Sequence, residues 1–288
     1  ETLRMKLAIL SDIHGNYIAL QSCLKHAWEQ QVDAYLFLGD YLGEFPYPKK
    51  TLEILYELRS NYSCFFIRGN KEDYWINRRK DVRCDWKNGN HSIMAMLYNY
   101  ENLTSADIDF FESLPISQRI AFDGMEPVLF CHGTPFANNK ELHPNSEDFK
   151  DILHKCQENY IVCGHTHIQG IVYNSEKKII NAGAVGVPLK SPHKTQYMIL
   201  TSDSCGWNPE FISLEYDVEK VIKELHESGL WDLSPYWCRI TQHLLYTGEV
   251  SHGTALFHVM KLNGYKDPWY NIAPSYWEEA LRELGIDQ

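Results

Sequence analysis

Five short apolar runs along this chain each end in glycine beside aspartate, asparagine or histidine. The run LAIL (7–10) leads into Ser11-Asp12-Ile13-His14-Gly15-Asn16, AYLFL (34–38) into Gly39-Asp40, and CFFIR (64–68) into Gly69-Asn70. Further on, VLFC (128–131) leads into His132-Gly133, and YIVC (160–163) into Gly164-His165-Thr166-His167. The candidate set is Asp12, His14, Asp40, Asn70, His132, His165 and His167. Carboxylate and amide oxygens together with imidazole nitrogens suit borderline-hard divalent ions, Mn foremost, with Fe, Zn, Ni or Co as alternatives. Seven ligands are too many for one ion. They suit two ions that share a bridging carboxylate and leave positions open to water and substrate. Such a pair, roughly 3.5–4 Å apart, generates a hydroxide nucleophile and clamps a phosphoryl group undergoing in-line displacement.

Each piece alone has an ordinary reading. Gly39-Asp40 and Gly69-Asn70 are common turns, and His132 and His165 could be buried, hydrogen-bonded histidines. The doublet His165-Thr166-His167 is costly at a strand end without a partner. Five such endings in one chain outweigh the separate readings.

What must position these residues is a set of strands. KLAIL (6–10), AYLFL (34–38), CFFI (64–67), PVLF (127–130), YIVC (160–163), KIIN (178–181) and YMIL (197–200) are nearly continuous in hydrophobicity, as strands buried on both faces are. Amphipathic segments lie between them. In 17–31, Leu20, Leu24, Ala27 and Trp28 recur at helical spacing. Thr104-Ser105-Ala106-Asp107 reads as a capping box, and Pro115 stops the helix that it opens. Strands alternating with helices predict an α/β fold with a parallel or mixed sheet, whose ligands collect at the carboxyl ends of strands.

From Asp217 onward the pattern turns helical, at 217–228, 234–247, 252–263 and 275–284, the last opened by Ser275-Tyr276-Trp277-Glu278 as a capping box. We therefore expect a main domain over 1–214 and a C-terminal helical extension over 215–288 packed on it. Trp231, Tyr236, Trp237, Tyr246, Trp269 and Tyr270 supply this part with packing groups, or with a lid that stacks a nucleobase.

The 288 residues carry a formal charge of −11, from 27 basic and 38 acidic side chains. That balance argues against a generic nucleic-acid binder, because phosphate neutralisation needs basic excess. A small anionic substrate is compatible with it, since bound divalent ions reverse the local field. The eight cysteines form no C-x-x-C pair and several sit in apolar runs, as free thiols in a reducing compartment do. No apolar stretch reaches the ~18–20 residues that span a bilayer, so the expected location is cytoplasmic, without a membrane partner. Met5 reads as a natural start, with 1–4 a remnant or short leader. A homo-oligomer is compatible with the sequence.

The order and content of the five blocks resemble the calcineurin-like metallophosphoesterase superfamily: D-x-H, then GD, then GN, then H before Gly, then GH-x-H. The resemblance runs from residue 6 to about 200. It implies a four-layer αββα sandwich, two mixed β-sheets flanked by helices, with a dinuclear site at the sheet edges. By that resemblance Asp12, His14 and His167 hold the first ion, Asp40 bridges, and Asn70, His132 and His165 hold the second. The segment Asn181-Ala182-Gly183-Ala184-Val185-Gly186-Val187-Pro188 is similar to the family's N-P-G-S-V-G-x-P, with Ala182 and Ala184 replacing its Pro and Ser. The segment 103–115 followed by VLFCHG matches the helix before the fourth block.

One departure bears on the reaction. Many members have His directly after the Asn, where it aids the transition state or protonates the leaving group. Here Lys71, Glu72 and Asp73 follow. This argues against a protein Ser/Thr phosphatase, a symmetric dinucleoside tetraphosphatase or a recombination-repair nuclease. It is similar to the compact YfcE-like phosphodiesterase branch, in which that His is also absent. Without a general acid worth ~10²–10⁴-fold, substrates with good leaving groups are favoured. Lys71 either faces the phosphoryl oxygens as a substitute cation or is a solvated loop lysine. Arg78, Arg79, Lys80, Arg83 and Lys87, with Trp75 and Trp86, either bind phosphate near the site or form a charged surface, and His91 lies in the same stretch.

The expected activity is a metal-dependent phosphodiesterase on a small phosphoester. A metal-bridging hydroxide would attack in line, with Asn70 and His132 stabilising the equatorial oxygens. A phosphomonoesterase or protein-phosphatase-like activity is the alternative within the class, and a catalytically silent metal-bound binding module the rival outside it.

Overall fold

The computed structural model of the chain describes residues 4–81, 86, 93–143, 146–173 and 177–286. Arg83, Cys84, Lys87 and His91 lie outside the described residues, as does most of the proposed leader.

The strands run β1 (Lys6–Leu10), β2 (Ala34–Phe37), β3 (Cys64–Phe66), β4 (Ser117–Ile120) and β5 (Val128–Cys131) in the first half. They continue as β6 (Tyr160–Cys163), β7 (Gly170–Tyr173), β8 (Lys178–Asn181), β9 (Lys194–Asp203) and β10 (Gly206–Glu215). The body helices are α1 (Tyr17–Glu29), α2 (Pro48–Asn61), α3 (Asn70–Lys80), α4 (Met94–Glu101), α5 (Ser105–Ser113) and α6 (Glu147–Lys155). After β10 come α7 (Val218–Glu227), α8 (Leu230–Leu233), α9 (Pro235–Thr247), α10 (His252–Leu262) and α11 (Pro274–Glu283).

Two five-stranded sheets result, in the orders β10-β9-β1-β2-β3 and β4-β5-β6-β8-β7. Each is mixed. In the first, β1 is parallel to β2 and antiparallel to β9. In the second, β6 is parallel to β5 and β8, while β4 and β7 run antiparallel at the edges.

Alternation along β1 explains the layering, because successive side chains leave opposite faces of a strand. Leu7 and Ile9 enter a core shared with Val128, Phe130, Tyr160 and Val162 of the other sheet, so the sheets pack face to face. Ala8 and Leu10 enter a second core against Leu20, Cys23 and Ala27 of α1 and Phe111 of α5. On the far side, Cys131, Ile161 and Ile179 pack on Phe149 and Ile152 of α6. Helix, sheet, sheet and helix form the four layers, an αββα sandwich.

The Thr104 box forms as expected: its hydroxyl accepts from Asp107 N, and Asp107 Oδ2 accepts from Thr104 N. The Ser275 box does not form. Helix α11 begins earlier, with Ala273 as its cap and Pro274 in the first turn, and no side chain caps it. Proline needs no N–H partner there and its fixed φ suits a helix start, so Ser275 falls inside the helix. Glu278 instead pairs with Arg239 at 3.2 Å.

The C-terminal helices bury Trp237, Cys238, Ile240, Val259, Trp277 and Leu281 in a cluster that also takes in Ala95 of α4. Val218, Val221 and Leu244 pack on Tyr17, Phe45 and Val187 of the body. No described helix is long and apolar enough to cross a membrane. The described cysteines are free thiols; Cys23, Cys131, Cys163 and Cys238 are buried, and Cys205 is exposed.

Candidate metal centre

The parallel register of β1 and β2 ends with Leu10 opposite Phe37, which brings the two following loops side by side. Asp12 N donates to Gly39 O at 3.1 Å, and His14 N to Asp40 O at 2.9 Å. In the second sheet Gly164 N donates to His132 O at 2.8 Å. Gly186 N then donates to Asp12 O at 2.9 Å, so the segment after β8 closes over the first loop.

These loops turn sharply. Asp12, His14, Asp40, His165 and His167 all have positive φ, between 53° and 67°. Asp and His tolerate that region better than most residues, and its concentration at a site stores local strain that the surrounding ladders hold in place. Two glycines make the approach feasible. A Cβ on Gly39, at φ +98°, would lie 2.3 Å from Gly69 N, and one on Gly164 would lie 2.6 Å from Asp12 Oδ2.

All seven residues meet. Asp12, His14 and His167 form one group of potential ligand atoms, and Asp40, His132 and His165 a second. In the first, Asp12 Oδ1 lies 3.7 Å from His14 Nε2 and 3.2 Å from His167 Nε2. In the second, His132 Nε2 lies 3.2 Å from His165 Nδ1 and 3.1 Å from Asn70 Oδ1. Asp40 stands between the groups: Oδ2 is 3.6 Å from His14 Nε2, and Oδ1 is 3.5 Å from His132 Nε2.

The residues fit divalent ions. Asp12 Oδ1 and His14 Nε2 are buried and make no hydrogen bond, in a structure where buried polar atoms are normally satisfied. A cation between them satisfies both. The outer nitrogens of two histidines are fixed as metal ligands usually are. His14 Nδ1 is hydrogen-bonded to Glu44 Oε2, and His132 Nδ1 lies 2.8 Å from Leu38 O, so each Nε2 faces the centre. Asp12 Oδ2 accepts from Ser11 Oγ at 2.6 Å and His165 N at 2.9 Å, which leaves Oδ1 for the centre. Asn181 Nδ2 ties Gly164 O and Thr166 Oγ1 at 2.6 and 3.0 Å, holding the histidine doublet in place.

Burial alone pulls an imidazolium down, yet at His14 the Glu44, Asp12 and Asp40 carboxylates override it and push the ring up to about 10. Burial also opposes charge on His132, but Asp40 and Asp12 raise it to about 9. Burial and the neighbouring His132 push His165 down to about 4. Against burial, the imidazoliums hold Asp12 well below the usual carboxylate range and Asp40 at about 2.

A pH dependence follows. In the metal-free protein His14 and His132 are protonated at neutral pH, whereas a ligating imidazole is neutral. Mn loading near neutral pH is expected to release roughly two protons per chain, and apparent affinity should rise with pH until about 9–10. Calorimetry in buffers of different ionisation enthalpy measures the release; a value near zero would contradict the assignment. For folding of the metal-free protein the sign is opposite. A histidine whose folded pKa is raised contributes stability that is complete below about 6.5 and is lost as pH climbs through 9 and 10.

Sequence reasoning missed two carboxylates. Glu44, only 2% exposed, contacts His14 on one oxygen and Lys71 Nζ at 2.7 Å on the other. Glu72 is fully buried; its Oε2 accepts from Asp40 N and Gly69 N at 3.0 and 2.8 Å, and its Oε1 from Tyr41 N at 2.9 Å. Lys71 is not a solvated loop lysine. It lies in the first turn of α3 with its side chain 14% exposed, its N–H donating to Asp40 Oδ1 at 2.8 Å and its ammonium held by Glu44. Farther along α3, Arg79 and Lys80 pair with Asp109 and Glu112 of α5, on a charged outer face. Arg78 lies over the Tyr100 ring.

Residues 5–204 match the calcineurin-like phosphoesterase superfamily domain, and the chain belongs to that superfamily. By that membership it is a metal-dependent phosphoesterase. It is 26% identical over 255 residues to an uncharacterized protein of Methanocaldococcus jannaschii, covering 82% of this chain and 96% of that one. A hypothetical protein from Pyrococcus horikoshii has the same fold, with TM-score 0.70 and 19% identity over 86% of this chain and 100% of the other. A metallophosphoesterase from Sphaerobacter thermophilus superposes with TM-score 0.65 and 23% identity over 85% and 99%.

Proposed function

We propose that the protein is a phosphodiesterase working with two divalent ions, Mn foremost, on a small phosphoester. The observation that carries this is Asp40, which turns one oxygen toward each of the two ligand groups. Asp12, His14 and His167 would hold one ion and Asn70, His132 and His165 the other, with Asp40 placed to serve both. When bound, two such ions lower the pKa of a water and draw charge from phosphoryl oxygens.

The chain's own groups orient and neutralise. With its Oδ1 turned toward the ligand set, Asn70 keeps its Nδ2 to donate to an equatorial oxygen of the phosphoryl group, whereas both ring nitrogens of His132 are engaged, Nδ1 by Leu38 O and Nε2 facing the ligand set, so His132 acts there only through the ion it would hold. Lys71 acts through Glu44, which fixes the His14 ring; its charge contributes to the local field more than to a direct contact. Nothing at the described site suits a covalent phospho-enzyme. The Ser11 hydroxyl is bound to Asp12, and burial pushes the Cys163 thiol up to about 12. With Lys71 in the place of the family's His and paired to Glu44, no group beside Asn70 among the described residues is free to protonate a poor leaving group. That favours esters whose leaving group departs as an anion.

The test is metal content of protein purified without added metal, together with hydrolysis of bis(p-nitrophenyl) phosphate and p-nitrophenyl phosphate with Mn added. About two ions per chain and faster diester cleavage are expected. Chelation should stop turnover and lower the melting temperature, because ions that bind only the folded state stabilise it. Two ions with no cleavage of either ester would overturn the enzymatic reading. Faster monoester cleavage would overturn the choice of diester.

A further inference from the structure

Next to the ligand set, helices α9 and α10 close a cavity of about 280 Å³ against α3 and α4. Tyr74 and Met96 line it from the body, and Trp237, Leu256 and Trp269 from the C-terminal part. Lys71, which directly follows Asn70 and whose N–H is bound to Asp40, is also in its wall. The cavity is therefore one residue from the proposed ligands. Its volume falls just below the range of ligand sites, which run from about 300 Å³ upward, and matches one planar ring system better than a long chain.

The chemistry of the walls is uneven in a useful way. Two indoles, a phenol ring and a leucine offer flat, polarisable surface, while charge is confined to Lys71, with its ammonium 6.0 Å from the Trp237 ring centre. His252, also in the wall, is buried with its ring 4.8 Å from Trp237 and its Nε2 2.8 Å from Thr241 Oγ1. Burial pushes it down to about 3, so at neutral pH it is a neutral ring that adds no charge to the cavity.

We infer that this cavity is a substrate subsite that takes an aromatic ester group while the phosphoryl group lies on the ligand set. The inference rests on the phosphoesterase reading and extends it: the C-terminal helices select the substrate. An aromatic group leaving water for this cavity gains apolar burial and stacking on Trp237 and Trp269, whereas an alkyl group as small as methyl gains almost none.

The test uses phosphonates, whose C–P bonds are not hydrolysed, so binding is read apart from turnover. Calorimetric titration of the full-length, Mn-loaded protein with 1-naphthylphosphonate and methylphosphonate gives an affinity ratio. The expected ratio is about tenfold or more in favour of the naphthyl compound. Leu256→Trp, which fills the cavity, should bring the ratio close to one, and Trp269→Ala, which removes a wall, should lower it about threefold. A ratio near one in the unaltered protein overturns the inference, and this measurement depends on no variant folding. A ratio that both variants leave unchanged overturns it as well. If bis(p-nitrophenyl) phosphate is not cleaved but the ratio holds, the phosphodiesterase reading fails and the aromatic site stands.

Discussion

Asp40→Asn is expected to lower kcat/KM for bis(p-nitrophenyl) phosphate by at least about 10²–10³-fold and to reduce the metal content from two ions to one or fewer. The substitution changes no volume. It exchanges one carboxylate oxygen for an NH₂ that cannot ligate, at the residue whose two oxygens lie 3.6 and 3.5 Å from His14 Nε2 and His132 Nε2. Either orientation of the amide fails. With NH₂ at the Oδ1 position it opposes the Lys71 N–H, which now donates there at 2.8 Å; with NH₂ at the Oδ2 position it faces His14. The loss of one negative charge also removes the largest of the charges that raise His132, beside Asp12 and Glu72, so its pKa in the metal-free variant should fall from about 9. NMR titration of that ring separates this effect from unfolding. A folded variant that kept two ions and full turnover would show that Asp40 does not join the two groups.

Much of this centre was legible because metal ligands obey chemistry that sequence displays. Strands buried on both faces stand out as apolar runs, and Asp, Asn or His directly after such a run has few structural excuses. What stayed hidden was structure that depends on partners distant in the chain. Glu44 lies 30 residues from His14, and only the fold of the loop after β2 brings them together. Because Glu44 was invisible, the partner of Lys71 was invisible too. The left-handed conformations of Asp12, His14, Asp40, His165 and His167 carry no signature, since Asp and His occupy both halves of the map.

The three overlooked strands, β4, β7 and β10, are all edges. β4 reads SQRI and β7 reads GIVY, each pairing on one side only and partly exposed, so neither shows a long apolar run. β10 even contains Pro209, which an edge strand accepts because one row of its N–H groups faces away from the ladder. The aromatic residues of the C-terminal helices illustrate a different limit. Periodicity marked them for burial, but Trp237 both packs on Trp277 and lines the cavity beside Lys71, and spacing alone cannot divide those roles.

Glu72→Leu should destabilise the protein by about 3–5 kcal/mol, more than any exposed substitution on α3. The carboxylate is fully buried and is the shared acceptor for the N–H groups of Asp40, Tyr41 and Gly69, so it stitches the loop after β2 to the start of α3. Leucine fills the space and leaves three buried donors without a partner, each costing about 1–3 kcal/mol, offset in part because a buried charge is also removed. Burial and the Asp40 charge push the Glu72 carboxyl up to about 7 in the metal-free protein, against the pull of the backbone N–H groups. Glu72→Gln separates charge from hydrogen bonding. Its carbonyl can keep the two donors at the Oε2 position, while its NH₂ meets the Tyr41 N–H, so a loss of roughly half that of leucine is expected. Urea unfolding, followed by circular dichroism with and without Mn, measures both. The gap between the two conditions should shrink in Glu72→Leu, because Asp40, held at φ 53° by these contacts, no longer has its backbone fixed for the ions. Unfolding curves within about 1 kcal/mol of the unaltered protein for Glu72→Leu would mean that the ladders around the loop, and not this carboxylate, hold Asp40 in its conformation.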